Sequence, residues 1–378
     1  MRIAIVNITG GGISGGYLKY LRNVIPRIRD NSIVESMLIA SSFSLKKFNL
    51  FSNSKNFRSI TCKPHKFFGL KKDKDLIKQL EEFNPNVIFV PTERFFKYDK
   101  APIVNMIQNM EPFSKNNLIK NPISENIKNF IKAIDGRKGI ENSKHIIAIS
   151  EFVRDYLISN CKISPNQIGL VYHGVDYFDN QKAIRPFNLP KNTQFLFTAG
   201  SIRPARGLED LFQALDYLSR KNLNIPHLVI AGDSSKNMTS YKDKLKDFGK
   251  LKEIEEKIHW IGNINDYEMA WCYKNCKAFI MTSRVEACPF IALEALSNRC
   301  VVISSDSRPM PEIFGDVAMY YPTGKGLELA KLIFSLETGK NMPVLEKKKE
   351  LIEKQLKKFS WDICATKTLN QLQKATNL

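Results

Sequence analysis

Four stretches of this sequence hold residue types at spacings suited to a phosphorylated or polyhydroxylated ligand. The first is Gly10-Gly11-Gly12-Ile13-Ser14-Gly15-Gly16, which follows an apolar run and opens an amphipathic one. Glycine lets a backbone approach a ligand closely, and a helix starting there presents unpaired N–H groups and a positive dipole end. A phosphate or a sugar hydroxyl fits such a cradle. The spacing is not the G-x-G-x-x-G of dinucleotide-binding turns. A plain flexible loop is the bland alternative, against which stand five glycines in seven residues. The second stretch is Ala199-Gly200-Ser201-Ile202-Arg203-Pro204-Ala205-Arg206-Gly207. Arg203 and Arg206 beside Gly200 suit a diphosphate clamp, because guanidinium pairs bidentately with phosphate oxygens; the alternative is a solvated loop with incidental charge.

The third stretch, Arg284 to Ala295, carries Glu286 and Glu294. They are about two helical turns apart if the helix extends back that far. Glu294 sits in the apolar run Phe290–Leu296, where a carboxylate needs a partner. A ribose diol supplies two donors; the alternative is a surface acid on an amphipathic helix. The fourth is Tyr172-His173-Gly174-Val175-Asp176, in which His173 either orients substrate or closes a turn.

The elements that must hold these residues alternate between strand and helix. Strands are expected at Arg2–Ile8, Val34–Ala40, Val87–Pro91, Ile103–Gln108, His145–Ser150 and Ile168–His173, with helices at Gly15–Ile28, Asp75–Phe83 and Glu151–Ser159. The pattern repeats with strands at Gln194–Ala199, His227–Ala231, Ile258–Ile261, Ala278–Thr282 and Cys300–Ser304. Helices are expected there at Leu208–Leu218, Asp266–Asn275 and Phe290–Ser297. Asp176–Lys191 is polar, holds two prolines, lacks periodicity and reads as a linker. The tail from Leu345 is basic and helical, and Trp361–Leu372 is amphipathic. Alternation of this kind implies parallel sheets covered on both faces. The expectation is an α/β chain of two doubly wound, Rossmann-like domains, facing each other across a cleft at the carboxyl ends of their strands. The first runs over 1–185 and is completed by the C-terminal helix 361–378; the second runs over 190–360.

Bulk properties agree with a two-domain chain. It has 378 residues, 43% hydrophobic and 25% charged, and no apolar run of the ~20 residues a membrane span needs. The N-terminus lacks a signal-peptide pattern, so a cytoplasmic location is expected. Seven scattered cysteines argue against a disulfide framework, and Cys272 and Cys276 lack a second ligand pair for zinc. The net charge of +19 suits anionic partners in general. No zinc-finger, RNP or basic-zipper pattern is present and the basic residues are dispersed, so nucleic acid is not an expected partner. Two basic stretches interleave cations with apolar residues: Lys63–Lys72 and Ile119–Lys138. They suit peripheral binding to an anionic membrane surface, or are simply solvated.

Taken in order, the motifs resemble those of family 4 glycosyltransferases, retaining enzymes of the GT-B fold, over essentially the whole length. Gly15-Gly16 is similar to that family's GG opening, SKHIIAISEFVRD to its closing strand and helix, and HGVD to its approach to the linker. GSIRPARGLEDLFQAL resembles the G-R-x4-K-G segment, Glu286 with Glu294 the E-x7-E pattern, and FSWD the start of the last helix. The resemblance implies that Gly15, Gly16, Gly200, Arg203, Arg206, Glu286, Cys288, Pro289, Phe290 and Glu294 bind the donor. Glu294 matches the ribose-binding acid, and Glu286 the acid near the transferred sugar and phosphates. Arg206 stands where a phosphate-binding lysine usually stands. Ser201 occupies the family's arginine position, with Arg203 two residues on as its substitute. Backbone amides at Cys288 to Phe290 meet the diphosphate or sugar. Where many members carry a first-domain histidine, this chain has Gln108-Asn109-Met110-Glu111-Pro112-Phe113. Asn109 is thus expected at the anomeric centre, with Glu111 structural, and Glu286, Asn109 and Arg206 form the expected catalytic set.

The activity so implied moves a hexose with retention, from a UDP- or GDP-sugar co-substrate to a glycan or lipid-linked acceptor, in cell-surface polysaccharide or lipopolysaccharide synthesis. Neither a metal nor another cofactor is implied. A nucleotide-sugar epimerase or a phosphorylase shares the two-domain plan and is the alternative within enzymes; a basic nucleic-acid-binding protein is the alternative outside them.

Overall fold

The computed structural model describes residues 1–8, 15–42, 56–64, 73–176, 182–189, 194–339 and 351–376. The chain divides into two compact units. Unit 1 comprises Met1–Phe113, Lys128–Gly174 and Phe359–Leu378; unit 2 comprises Ser114–Ile127 and Val175–Lys358. The division departs from the expected limits in two places. It falls at Gly174/Val175, ahead of residue 185, and it assigns Ser114–Ile127 to the second unit.

Unit 1 is built on seven parallel strands: β1 (Arg2–Asn7), β2 (Ser36–Ser42), β3 (Phe57–Cys62), β4 (Val87–Val90), β5 (Ile103–Ile107), β6 (His145–Ala148) and β7 (Ile168–Leu170). Their order is β3-β2-β1-β4-β5-β6-β7. Every pair is parallel, with registers such as Ile3 opposite Met37 and Val87. The inner strands are short and largely apolar because both faces are covered; Ile3, Val6, Val87, Ile88, Ile146 and Ile147 are all buried. The helices are α1 (Gly15–Arg29), α2 (Lys74–Phe83), α3 (Ile123–Glu141), which runs in from unit 2, and α4 (Glu151–Cys161). The last strand-to-helix turn explains why β6 stops short of the expected Ser150. That residue turns aside as the N-cap of α4, its Oγ accepting from the Val153 N–H at 3.2 Å.

Unit 2 has six parallel strands: β8 (Phe195–Ala199), β9 (His227–Ala231), β10 (Ile258–Gly262), β11 (Ala278–Met281), β12 (Val302–Ser305) and β13 (Met319–Tyr321). Their order is β10-β9-β8-β11-β12-β13. This is the doubly wound 3-2-1-4-5-6 pattern, with its topological switch point between β8 and β11. The helices are α5 (Glu209–Arg220), α6 (Thr239–Leu251), α7 (Asp266–Asn275), α8 (Phe290–Ser297), α9 (Met310–Phe314) and α10 (Gly326–Glu337). α7 starts on a full capping box, in which Asn265 Oδ1 accepts from the Glu268 N–H and Glu268 returns a bond to the Asn265 N–H. Leu196, Leu211, Leu215, Ile230, Ile280 and Ile303 form the centre of one core with α10 residues such as Leu329 and Ile333. The described part of the expected linker, 182–189, packs on unit 2. Its Ile184 N–H donates to Tyr267 O, and Arg185 lies 5.7 Å from the centre of the Trp271 ring.

The chain ends with α11 (Trp361–Thr376), which belongs to unit 1 and buries the stripe Trp361, Cys364, Ala365, Thr368, Leu369 and Leu372. Gly174 is required where this helix begins, since a Cβ there would sit 2.4 Å from the Trp361 nitrogen. No helix of the described residues is long and apolar enough to cross a membrane.

Candidate active site in the second unit

The expected donor residues of unit 2 gather at the switch point. β8 ends at Ala199 and the chain turns at Gly200 with φ +117°, its N–H donating to Ala231 O at 3.0 Å. The Arg206 guanidinium lies over this glycine: a Cβ at position 200 would come within 2.4 Å of Arg206 Nη2. A short 3-10 turn, Pro204–Arg206, delivers that side chain, and Gly207 closes it at φ +62°, where a Cβ would strike Thr282 O at 2.4 Å. Thr282 Oγ donates to Arg206 O at 2.6 Å, which ties the turn to the end of β11.

From the other side of the switch point comes the loop after β11. Glu286 Oε1 pairs with Arg206 Nη1 at 2.9 Å, and both side chains are about four-fifths buried (18% and 19% exposed). Ser283 Oγ bridges the two, donating to Glu286 Oε1 at 2.9 Å and accepting from Arg206 Nη1 at 3.3 Å. A small recess opens here, lined by Gly200, Ser201, Arg206, Thr282, Ser283 and Ile291. The arrangement can do two things chemically. The guanidinium can receive an anion, and the carboxylate beside it can accept hydroxyls.

Helix α8 begins at Phe290 and does not reach back to Glu286, so the two acids stand on different elements: Glu286 in the loop, Glu294 inside the helix. Glu294 is buried and has a protein partner, since Tyr273 Oη donates to its Oε2 at 3.1 Å and to Ile291 O at 3.3 Å. Burial first, then the charge of Glu294, pushes the Tyr273 phenol well up, so it stays a donor. Cys288 and Pro289 are buried and Phe290 half-buried. Pro289 caps the helix without a side-chain bond, and the first N–H groups of α8 are those a bound anion would meet.

Arg203 and Arg206 take different partners. Arg203 points to Glu125, its Nη2 lying 3.9 Å from Oε1 of that buried carboxylate, while Arg206 serves Glu286. The structure therefore does not join them in one clamp. Arg284, in contrast, is a functional support that sequence reasoning did not single out. It is buried; its Nη1 donates to Leu118 O at 2.6 Å, and its Nη2 lies 3.3 Å from Asp210 Oδ1 and from Glu209 Oε2. Asn116 Nδ2 and Ser307 Oγ both donate to its carbonyl. Asp210 also accepts from Tyr321 Oη and the Gly324 N–H; burial raises its pKa while Arg284 and these donors oppose the rise. This network fixes the loop that bears Glu286. The acidic start of α5, Glu209-Asp210, was the available signal.

Unit 1 holds the remaining expected residues. Gly15 and Gly16 open α1, and a Cβ at Gly15 would meet nothing within 4 Å. Gly10–Ser14 lie outside the described residues, as do His65–Lys72 of the first basic stretch. Asn109 is half-buried, and its Oδ1 accepts from the Glu111 N–H at 3.0 Å, an Asx turn that occupies the amide oxygen. Glu111 is buried and accepts from Asn129 Nδ2 at 3.2 Å. Beside them lies an acid that sequence reasoning missed: Glu93, after β4, takes a bond from the Gln108 N–H at 3.4 Å, and burial raises its pKa. His173 corrects an expectation. It is 1% exposed, between Tyr20 of α1 (ring centres 5.2 Å apart) and Trp361 of α11 (6.5 Å), and burial lowers its pKa to about 3. A neutral, enclosed imidazole packs the core and does not reach a substrate. Among the described residues no group of three or more His, Cys, Asp or Glu side chains is placed to hold a metal ion, and none of the seven cysteines is in a disulfide.

Two doubly wound parallel-sheet units, the second with an arginine–glutamate pair at its switch point, define an α/β protein of the GT-B fold. Residues 179–357 match the family model for glycosyl transferases group 1, and residues 45–177 match that for glycosyltransferase family 4. The chain belongs to the family 4 glycosyltransferases. It is similar to a serotype-specific mannosyltransferase, WbdA, of Escherichia coli, with 24% identity over 197 residues. That match takes in 49% of this chain and 24% of the relative, so the chain spans about a quarter of that protein's length. Among solved structures, a glycosyltransferase from Rickettsia africae overlays with a TM-score of 0.73 at 18% identity, over 99% of this chain and 98% of that one. Anabaena HepE in complex with UDP overlays with a TM-score of 0.70 at 15% identity, over 99% and 100%. At these identities the likeness concerns the fold.

Proposed function

We propose that the chain is a retaining, metal-independent hexosyltransferase that moves a sugar from a nucleotide-sugar donor to a glycan or lipid-linked acceptor. The observation that carries this reading is the Arg206–Glu286 pair at the β8/β11 switch point, braced by Ser283 and set over Gly200. Breaking the bond between the sugar and the diphosphate leaves its electron pair, and so negative charge, on the phosphate oxygens. Arg206 and the first N–H groups of α8 stabilise that charge in place of a divalent cation. Glu294, oriented by Tyr273, accepts from the donor's ribose hydroxyls. Glu286, released from Arg206 as phosphate arrives, accepts hydroxyls of the transferred sugar. The donor is a UDP- or GDP-sugar, in keeping with the UDP bound in the Anabaena neighbour. The mannosyltransferase relative supports a hexose, and an Escherichia coli relative named as an O-antigen chain mannosyltransferase supports a role in cell-surface polysaccharide or lipopolysaccharide synthesis, with the enzyme working on the cytoplasmic side of a membrane.

A thermal-shift screen against UDP-, GDP-, dTDP- and ADP-sugars tests the reading. A ligand at 100 times its Kd stabilises the fold by about 2.7 kcal/mol. The expected result is a shift for one nucleotide class, followed by release of that nucleotide when acceptor is added. No shift with any nucleotide sugar, together with no nucleotide release, removes the proposal.

A further inference from the structure

Two cysteines of unit 2 meet on the backbone of the tyrosine that holds Glu294. Cys276 Sγ donates to Tyr273 O at 3.3 Å, and Cys300 Sγ donates to the same oxygen at 3.1 Å. The two thiols also hydrogen-bond to each other. Chain geometry brings them together. Cys276 is the C-cap of α7 and lies two residues before β11; Cys300 follows α8 and lies two residues before β12. Those strands are parallel neighbours, with Phe279 opposite Val302 and the Phe279 N–H donating to Val301 O at 2.8 Å. Neighbouring strands run about 4.8 Å apart, and a disulfide joins residues whose Cα atoms are about 4.4–6.8 Å apart. Turning both sulfurs off the shared carbonyl and toward each other is the movement a bond requires.

The pair is asymmetric. Cys276 is half-buried, so a small solute reaches its sulfur, whereas Cys300 is buried. Burial pushes the Cys300 thiol well up, so it keeps its proton until a reactive sulfur is presented to it. Cys272, one turn before Cys276 on α7, is fully buried and shares a helix with it. The position of the pair gives it leverage. Tyr273 takes both thiols at its carbonyl and gives its phenol to Glu294 Oε2 at 3.1 Å. A bond between Cys276 and Cys300 would also tie the end of α7, which carries Tyr273, to the segment leaving α8, which carries Glu294.

We infer that Cys276 and Cys300 are an oxidisable dithiol site, and that their disulfide lowers the affinity of unit 2 for a nucleoside diphosphate. The oxidation itself does not rest on the proposed function; its effect on the nucleotide does. The oxidant is a peroxide. Cys276 sulfur, giving up its proton, attacks one oxygen of hydrogen peroxide; the S–O bond forms, the O–O bond breaks, and the departing hydroxide takes the proton and leaves as water. Cys276 is now a sulfenic acid, oxidised by two electrons. Cys300 sulfur then attacks it; the S–S bond forms, the S–O bond breaks, and the second hydroxide leaves with the Cys300 proton as water. Two thiols and one peroxide give one disulfide and two waters. The experiment treats the reduced full chain with hydrogen peroxide, alkylates the remaining thiols, and maps the peptides by mass. A peptide joining Cys276 to Cys300 is expected, reversed by dithiothreitol and still formed in Cys272→Ser. Binding of UDP and GDP is then measured on both forms. Oxidation should weaken whichever nucleotide binds about tenfold or more, the scale of a lost hydrogen bond to a carboxylate, while pyrophosphate binding is spared. Cys276→Ser should bind like the reduced parent before and after peroxide; it replaces the half-buried partner, so it decides the matter even if Cys300→Ser fails to fold. The inference is overturned if no joined peptide forms, if Cys276 joins Cys272 instead, or if the oxidised chain binds as the reduced one does. It is equally overturned if pyrophosphate is lost in step with the nucleotide. A reduced parent that binds neither UDP nor GDP defeats the proposed function and with it the effect on affinity, while the peptide map still decides the disulfide.

Discussion

Gly200→Ala tests whether the backbone under Arg206 is part of the catalytic device. The substitution acts twice. At φ +117° a side-chain-bearing residue is strained, at a cost of about 1–3 kcal/mol of stability. The new methyl also begins 2.4 Å from Arg206 Nη2, against an ordinary contact of 3.4 Å, so the guanidinium must retreat by about 1 Å. The Arg206–Glu286 distance of 2.9 Å then lengthens beyond hydrogen-bond range. A displacement of about 1 Å in a positioning group costs on the order of 100-fold in turnover. The assay is nucleotide release under saturating donor and acceptor, read beside a denaturation curve. The control is a cycle with Arg206→Ala. If Gly200 acts through Arg206, the double variant should turn over no more slowly than Arg206→Ala alone, since the group that was displaced is gone. A Gly200→Ala enzyme within about threefold of the parent turnover refutes the argument, as does a loss that adds in full to that of Arg206→Ala.

Three further outcomes are expected. Tyr273→Phe removes the donor to Glu294 and should cost about 1.5–3 kcal/mol of stability; it should also weaken nucleoside-diphosphate ligands while sparing pyrophosphate, and equal effects on both would argue against a ribose contact. His173, depressed to about 3 in the fold against about 6.5 unfolded, binds its proton only in the unfolded chain between those values. Its contribution is therefore complete above about pH 6.5 and declines by about 1.4 kcal/mol per pH unit as pH falls toward 3; denaturation at pH 7 and pH 5 should show this slope, and His173→Phe should flatten it. Turnover should persist in EDTA, and a loss restored by one particular divalent ion would contradict charge stabilisation by Arg206.

The parallel strands were legible because a strand covered on both faces is a short unbroken apolar run, as in Val87–Val90 and Ala278–Met281. α7 and α8 were legible as Asp266–Asn275 and Phe290–Ser297, each following a short apolar strand in the alternation. α3 was not, because several of its apolar positions face outward while Glu125, Asn129 and Asp135 are buried. Glu286 and Arg206 could be picked out because each sits in a loop between strand and helix. The role of Arg284 was missed, since the acidic Glu209-Asp210 that hints at it and the Leu118 carbonyl lie 74 or more residues away. The alternatives for His173 needed Trp361, 188 residues downstream (361 − 173), to decide between them.

The carbonyl of Leu118 that receives Arg284 has a bearing on how the protein is made. The residues between acceptor and donor span 166 positions of chain. At roughly 5–20 residues per second, about 8–33 s pass between the synthesis of one and that of the other. Through that interval Ser114–Ile127 has been made while much of its own unit has not, so the Leu118 carbonyl waits without the guanidinium it will receive. An isolated fragment spanning 175–358 has the opposite fault, a guanidinium formed among Asp210 and Glu209 whose third partner never arrives. The second unit is thus a piece of protein that cannot be cut out of its gene with a single pair of ends.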